Sequence, residues 1–444
     1  MNFNRHLKDT ARLAVPMIIA RAGLLIMVAG GTAMMGHYGT KGLAYYAAAN
    51  AFQVVMVLVG VGLSQGIMIL VAQARGANKL QECGRYWRVS LVYSAFLGIC
   101  MTGICFSGEL LLLNIGQTAE LAAEAGEVLK MISWGLPALA MWIATSFFLE
   151  GLGRPLPSML LTLSAVILNA ALNYIFIFGN LNVQEMGAEG AALATSLTRW
   201  FMFIVISLYV LNLRDRNELR ILGKLDKFWF TIKKLVKIGV PMGTARGLET
   251  AAFSTLTLFA GLLGTAELAG YQIAFNLVAL IFMCAIGVAG AATIRVGHSV
   301  GQQSPDDIRY AGLAAFFLIC LIMLCFSVIF VFFSTTLANL YTDDLTVITI
   351  AIPLITIASL LLIFDGGQAV LMGALRGMAD IWIPPIIQLF AWWGIAVPIA
   401  YVLSFIMEIG TVGLMWGILA GALVSSASLS FRFYFVTKQS IKPY

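Results

Sequence analysis

Apolar stretches of about 20 or more residues recur along the whole of this 444-residue chain, each long enough to cross a hydrocarbon core of roughly 30 Å as a helix. Lipid offers no hydrogen-bond partners, so a chain built this way satisfies its backbone as a bundle of helices. Twelve stretches read as spans: 11–36, 43–74, 87–112, 121–149, 156–180, 187–213, 236–262, 266–294, 310–340, 346–374, 381–407 and 410–436. A content of 60% hydrophobic against 11% charged residues excludes ordinary soluble domains. The first stretch is too long for a signal peptide, lacks a small-residue cleavage site and is followed by eleven more, so it is expected to be retained.

The net charge of +6 would suit nucleic acid if it were clustered, but its distribution follows the loops instead. With the N-terminus taken as cytoplasmic, Arg5, Lys8, Arg12, Arg75, Lys79, Arg85, Arg88 and Arg154 face inward. The run from Arg214 to Lys237 does too, as do Arg295, Arg309, Arg376, Arg432, Lys438 and Lys442. Only Lys41 and Lys130 fall in outward loops, among acids such as Glu109, Glu120, Glu185, Glu267, Asp343 and Glu408. This asymmetry predicts both termini in the cytoplasm. It also makes the lipid bilayer the macromolecular partner, with no nucleic acid. Cys83, Cys100, Cys105, Cys284, Cys320 and Cys325 lack metal-ligand spacing and paired outer positions, and read as packing residues.

The chain repeats itself. Val15-Pro16-Met17 aligns with Val240-Pro241-Met242 at an offset of 240 − 15 = 225, in a register that runs without a gap to Gly76 and Gly301. Ala20-Arg21 meets Ala245-Arg246, Gly39-Thr40 meets Gly264-Thr265, and Tyr46 and Gly62 meet Tyr271 and Gly287. Farther on, Gly151 and Arg154 meet Gly373 and Arg376 at an offset of 222. The expected fold is therefore an all-α polytopic membrane protein of twelve transmembrane helices. Its two parallel six-helix repeats would be related by a pseudo-two-fold axis along the membrane normal. Residues 1–213 form the N-terminal half, 214–237 a basic cytoplasmic linker and 238–444 the C-terminal half. Parallel repeats are a common transporter plan, in which halves rock to expose a substrate to alternate sides; duplication kept for stability alone is the plainer reading. One chain holding both halves points to a monomer.

Of the 21 acidic residues, two are placed deep within spans, Glu249 and Asp365. A carboxylate at bilayer depth costs at least a few kcal/mol, so it normally marks an ion or proton path. Arg21 and Arg246 are equivalent in the repeat, and Arg246 precedes Glu249 by three residues on one helical face. The arginines either snorkel to the inner interface and neutralise carboxylates, or bind anionic substrate groups and tune the acids. Arg199 has no basic counterpart in the other half and is weaker evidence. Asn169 and Asn173 share a helical face that suits helix packing or a polar cavity equally. Pro16, Pro137, Pro241 and Pro353 are candidate kinks. His6, His37 and His298 lie near ends or loops, which leaves no histidine relay. No P-loop, Ser/His/Asp set or metal-ligand cluster is present, so neither an enzyme nor an ATP-driven pump is expected and the energy should come from an ion gradient.

These residues resemble the multidrug and toxic compound extrusion (MATE) family, bacterial type, of the multidrug/oligosaccharidyl-lipid/polysaccharide flippase superfamily. The resemblance rests on Pro241 followed eight residues later by Glu249, and on Phe364-Asp365-x-x-Gln368 leading to Gly373-Ala374-Leu375-Arg376-Gly377-x-x-Asp380. Glu150-Gly151-x-Gly153-Arg154-Pro155 after the fourth span, Asn169-x-x-x-Asn173 and Gly187-x-x-Gly190-Ala191-Ala192 add to it. The resemblance implies an inner-membrane antiporter without a cofactor, exporting small organic, cationic and amphipathic compounds in exchange for H+ or Na+. Glu249 and Asp365 would be its cation-coupling residues, with Na+ as a candidate ion there. Arg246, Arg21, Gln368, Asn169, Asn173 and Tyr271 would be neighbours of the substrate or coupling site. One departure stands out: the family commonly carries Asp in an Asp-Thr-x-x-x-Gly pattern in helix 1, where this chain reads Gly31-Thr32-Ala33-Met34-Met35-Gly36. Coupling would then rest on the C-terminal half. The alternative is a flippase or exporter of an anionic or lipid-linked substrate in the same superfamily, which Arg21 and Arg246 favour.

Overall fold

The computed structural model describes residues 3–180 and 184–438, so Lys442 lies outside the described residues. Among these the chain is helical, with no strand. The first eight helices are α1 (Phe3–Tyr38), α2 (Thr40–Gly76), α3 (Leu80–Phe106), α4 (Gly108–Asn114), α5 (Ala119–Ser133), α6 (Leu136–Gly151), α7 (Leu156–Phe178) and α8 (Gly187–Leu211). They are followed by α9 (Phe228–Leu263), α10 (Thr265–Gly301), α11 (Pro305–Phe332), α12 (Ser334–Asn339), α13 (Leu345–Gly377) and α14 (Ile383–Leu389). Helix α15 (Val397–Tyr401) sits between π-helical turns at Phe390–Ala396 and Val402–Ile406, and α16 (Thr411–Val436) closes the fold.

Among the described residues ten helical segments are long and apolar enough to span: α1, α2, α3, α7, α8, α10, α11, α13, the composite Ile383–Ile406 and α16. Helices α5 and α6, bent by 46° at their junction, make an eleventh if taken as one. The twelfth expected stretch, 236–262, lies in α9, which is 36 residues long but falls short in apolarity and carries Arg246 and Glu249. Large apolar side chains point outward along these helices, among them Ile99, Ile167, Leu262 and Phe332. Lipid solvates such faces, so the chain is a multi-spanning membrane protein. The cysteines divide: Cys83 and Cys105 are buried, whereas Cys100 and Cys325 are exposed on helix faces and do not pack inside.

The helices form two compact units, Met1–Ile18 with Thr244–Tyr444, and Ile19–Gly243. The two boundaries fall within α1 and α9, at residues separated by 243 − 18 = 225, the offset of the sequence repeat. Pro16 and Pro241 stand two residues before them, each removing a helical N–H donor without ending its helix. Backbone contacts repeat in the same register. A side chain on Gly62 would meet Gly243, and one on Gly287 would meet Ile18. His6, 3.3 Å from Asp307, and Asp9, 3.4 Å from Arg295, hold the start of α1 to α10 and α11 within one unit. His6 is buried there. Gly39 links α1 to α2 and Gly264 links α9 to α10 at φ 156° and 150°, a backbone region open to glycine.

Each unit is organised around one central helix. In Ile19–Gly243, α6 packs on α2, α3 and α8 and is buried without interruption from Trp142 to Leu152. In the other unit α13 packs on α10, α11 and α16, buried without interruption from Val370 to Met378. Small residues set these distances, as is usual where lipid supplies no hydrophobic drive between helices. Gly377 approaches Thr293 of α10 so closely that a Cβ would lie 2.7 Å from its carbonyl oxygen, and Thr293 Oγ1 donates to the Gly373 carbonyl at 2.8 Å.

The break before α6 is stabilised from α8. Ser196 Oγ donates to the Met131 carbonyl at 3.0 Å, Trp200 Nε1 to that of Trp134 at 3.0 Å, and Arg199 Nη1 to that of Ile132 at 3.4 Å. The carbonyls orphaned by the bend are thereby satisfied, and Arg199 takes a structural role. Pro137 sits in the first turn of α6, where its missing N–H is of no consequence.

Candidate functional site

Helix α9 places Arg246 and Glu249 one turn apart, and Arg246 Nη1 donates to Glu249 Oε2 at 2.8 Å. The Glu249 side chain is 11% exposed. It lines a narrow cleft, with room for little more than a water molecule, beside Pro385, Gln388, Trp392 and Trp393. Trp393 Nε1 donates to the Leu248 carbonyl at 3.0 Å, which ties the π-helical turn 390–396 to α9. Such widened turns recur at functional sites, and here one orients two indoles toward a carboxylate. Pro398 follows it and can donate no hydrogen bond back into the segment.

On α13, Asp365 is buried, and Gln368 Nε2 donates to its Oδ1 at 2.6 Å. No ion pair reaches Asp365 among the described residues. Gln368 Oε1 is a buried acceptor without a partner. Asp365 lies in the electrostatic field of Glu249 and Arg246, without a hydrogen bond or ion pair to either among the described residues. Arg376, placed in an inward loop by the sequence reading, is instead buried at the end of α13 with its Nε unpartnered, and it too lies in the field of Arg246 and Glu249. Two carboxylates and two guanidiniums thus share one unit. Tyr271 is fully buried and stacks on Phe275; Phe253 contacts both that ring and Trp392, so an aromatic chain runs from Tyr271 to the cavity beside Glu249.

The unit Ile19–Gly243 holds the other predicted residues. Asn173 Nδ2 donates to Asn169 Oδ1 at 3.0 Å, and Asn169 Nδ2 to Thr198 Oγ1 at 3.2 Å. Asn173 Oδ1 has no partner. A Cβ on Gly31 would lie 3.1 Å from the Tyr46 hydroxyl and 3.5 Å from Asn173 Nδ2, so this helix 1 position faces neutral polar groups. Arg21 is not near these amides by any hydrogen bond. Its Nη2 lies 3.2 Å from Glu150 Oε1, and its guanidinium rests over the Phe147 ring.

Glu150 corrects the count of deep acids. The sequence reading put it after a span, yet it is the penultimate residue of α6 and 2% exposed. Its neighbours Gly151 and Gly153 read as a loop, but only Gly153 leaves the helix, at φ 72°. No triad of His, Cys, Asp or Glu able to hold a metal ion occurs among the described residues.

Comparison with known proteins gives this arrangement its family. The MatE family matches the chain twice, over residues 16–175 and 241–402, with starts 241 − 16 = 225 apart. A probable multidrug resistance protein NorM from Bradyrhizobium diazoefficiens is 31% identical over 98% of this chain and 94% of its own length. One of the same name from Xylella fastidiosa is 28% identical over 98% and 93%. Among solved structures, the eukaryotic MATE transporter AtDTX14 superposes with a TM-score of 0.88 at 23% identity, covering 97% of this chain and 96% of that one. A MOP superfamily transporter from Pyrococcus furiosus, whose binding pocket is described as reversed in polarity, gives 0.86 at 20% identity, covering 98% and 97%. With both halves of the chain matched and a relative above 30% identity along nearly all of it, this protein belongs to the MatE family of membrane transporters.

Proposed function

We propose that the chain is a secondary antiporter that exports organic, cationic and amphipathic compounds in exchange for H+ or Na+ by alternating access. The observation that carries this reading is Asp365, a buried carboxyl on the central helix of its unit, held by a neutral amide and within electrostatic reach of Glu249. Such a group exchanges a proton for a cation without rearranging a salt bridge of its own. The relatives named as probable multidrug resistance proteins support the export of drug-like compounds.

In the proposed cycle the ionised acids hold a cationic solute, and proton or Na+ entry from outside cancels that attraction. At an effective dielectric of ~20, one unit charge at roughly 4 Å is worth on the order of 4 kcal/mol, close to a thousandfold in affinity. Coupling of that size is ample for release. Gln368 Oε1, an acceptor left free beside Asp365, would suit Na+ as well as a hydrated proton path. Arg246 then competes with the incoming cation for Glu249, and α9 and α13 carry the change by repacking.

The same reading takes α9 as the twelfth span and residues 1–213 and 238–444 as duplicated halves joined by the 214–237 linker, with both termini cytoplasmic, in the inner membrane, as a monomer. Ethidium efflux from proteoliposomes tests it, under a pH gradient and separately under a Na+ gradient, with Glu249→Gln and Asp365→Asn beside wild type. Efflux driven by either gradient and lost in both amides is the expected result. Wild-type rates in both amides would remove the acids from coupling, and dye movement under neither gradient would turn attention to anionic substrates, for which buried Arg376 speaks.

A further inference from the structure

Arg21 and Arg246 occupy equivalent positions in the two repeats, but their acids do not. The repeat places Leu24 opposite Glu249 (249 − 225) and Met372 opposite Glu150 (150 + 222). Each guanidinium is nevertheless met by a carboxylate, Arg246 by Glu249 on its own helix and Arg21 by Glu150 on α6. Glu249 belongs to the coupling cluster; Glu150 has no part in it.

The geometry of the Arg21–Glu150 pair is one-sided. A single nitrogen, Nη2, spans both carboxylate oxygens, at 3.2 and 3.4 Å, in place of the two-nitrogen fork that arginine forms with a fully engaged carboxylate. The Arg21 side chain is 17% exposed and that of Glu150 is 3% exposed. Arg21 makes no other hydrogen bond among the described residues, and none of its nitrogens is buried without a partner. The carboxylate thus lies behind the guanidinium, and the rest of the fork reaches accessible space above the Phe147 ring. A planar cation over an aromatic face with free donors is a receptor for a carboxylate on an aromatic or amphipathic molecule.

We propose that Arg21 binds the carboxylate of zwitterionic substrates, and that Glu150 is a resident carboxylate which keeps the guanidinium compensated until one arrives. The proposal rests on the transporter reading above and assigns a substrate-selecting residue to it. A substrate carboxylate that takes over Nη2 would leave Glu150 ionised and uncompensated in the interior. Among the described residues Arg21 is its one charged partner: α2 presents Met68 and Val71 beside Gly151, Trp87 of α3 donates to Thr145, Arg199 of α8 lies at the far end of α6 beside Gly135, and Arg154 is engaged by Asp215. Exchange therefore brings one proton from the aqueous phase onto Glu150 as the substrate carboxylate joins Arg21. Charge is conserved, and the proton leaves Glu150 when the substrate departs. Zwitterions then load with a proton, whereas cations lacking a carboxylate load without one.

The test compares norfloxacin, which carries a carboxylate, with its methyl ester, in proteoliposomes of the full chain. The readout is the ratio of KM values for acid and ester within each protein at pH 6 and pH 8. In wild type the acid should lose affinity as pH rises, by up to about tenfold per unit, relative to the ester. Glu150→Gln should flatten that dependence while still taking the acid. Arg21→Gln strands a buried carboxylate and is liable to misfold, so the double amide Arg21→Gln/Glu150→Gln carries the argument. There the preference for acid over ester should fall by roughly tenfold or more. Equal KM ratios in wild type and double amide, or a wild type that moves ethidium but not norfloxacin, would overturn the inference and leave the antiporter reading standing. If neither compound nor ethidium moves under any gradient, it is the antiporter reading that fails, and the inference with it.

Discussion

Replacing Asp365 by Asn separates what this residue does for transport from what it does to the fold. Asp365 is 7% exposed and accepts one hydrogen bond, from Gln368 at 2.6 Å. Asparagine has the same shape, and its carbonyl oxygen can accept that bond, so the change opens no cavity and orphans no donor. It removes the capacity to carry a charge where burial penalises one, and puts an amide donor in place of the second carboxylate oxygen. Stability should therefore stay level or rise by up to about 2 kcal/mol. With an unfolding entropy of about 2.1 cal/mol/K per residue, 1 kcal/mol corresponds to roughly 1 K in a chain of 444 residues, so the midpoint should move by 0 to about +2 K. Gln368→Ala is the contrast. It deletes a fully buried side chain together with the donor, which should cost about 2–4 kcal/mol and lower the midpoint by a similar number of kelvins. Tryptophan-fluorescence melting of solubilised protein measures the first quantity, and ethidium efflux from the same preparations measures the second. A folded, unmelted Asp365→Asn protein that cannot pump is expected. Destabilisation as large as that of Gln368→Ala, or efflux at the wild-type rate, would refute the reasoning.

Three further outcomes follow from the packing and the loops. Gly377→Leu forces a side chain against the Thr293 carbonyl, where even a Cβ would stand 2.7 Å away; overpacking of about 1–3 kcal/mol or more should appear as a lower yield of folded protein and a lower melting midpoint. Ser196→Ala withdraws the hydroxyl that serves the Met131 and Ile132 carbonyls at the break before α6, and should lower the midpoint by about 1 K, read in the same melts. Arg154 donates twice to Asp215, at 2.9 and 2.8 Å, and those bonds hold the Asp215 carboxyl below its usual range. A depressed carboxyl stabilises the fold above the ordinary carboxylate pKa of about 4 and loses that contribution as pH falls through the folded value. The gap between wild type and Asp215→Asn, about 1 kcal/mol for a part-exposed pair, should thus be constant from pH 6 to pH 8 and close below about pH 4.

The parts of this protein that were legible in the sequence are those written in a repeated pattern. Helix content followed from stretch length, and the offset of 225 between Pro16 and Pro241 reappears in the unit boundaries inside α1 and α9 and in the contacts of Gly62 and Gly287. The stretch 236–262, read as a span from the sequence, falls short in apolarity within α9 because Arg246 and Glu249, the residues that make it interesting, also lower its hydropathy. Glu249 and Asp365 stood out because an acid in the middle of an apolar run has no soluble explanation, and both are largely shielded from solvent. Glu150 and Arg376 were missed for a physical reason: each ends a helix beside glycines, where sequence alone suggests a loop, while burial there is imposed by the helices packed around α6 and α13. An end-of-helix charge is harmless in water and expensive between helices, and only the packing distinguishes the two. Where duplication supplies equivalent arginines, asking which acid meets each one exposes what a count of deep acids cannot. Arg246 is answered within one turn of its own helix, and Arg21 across the unit by the central helix. Arginines at matched sequence positions thus sit in two separately built charge sites, one closed within a single helix and one closed between helices.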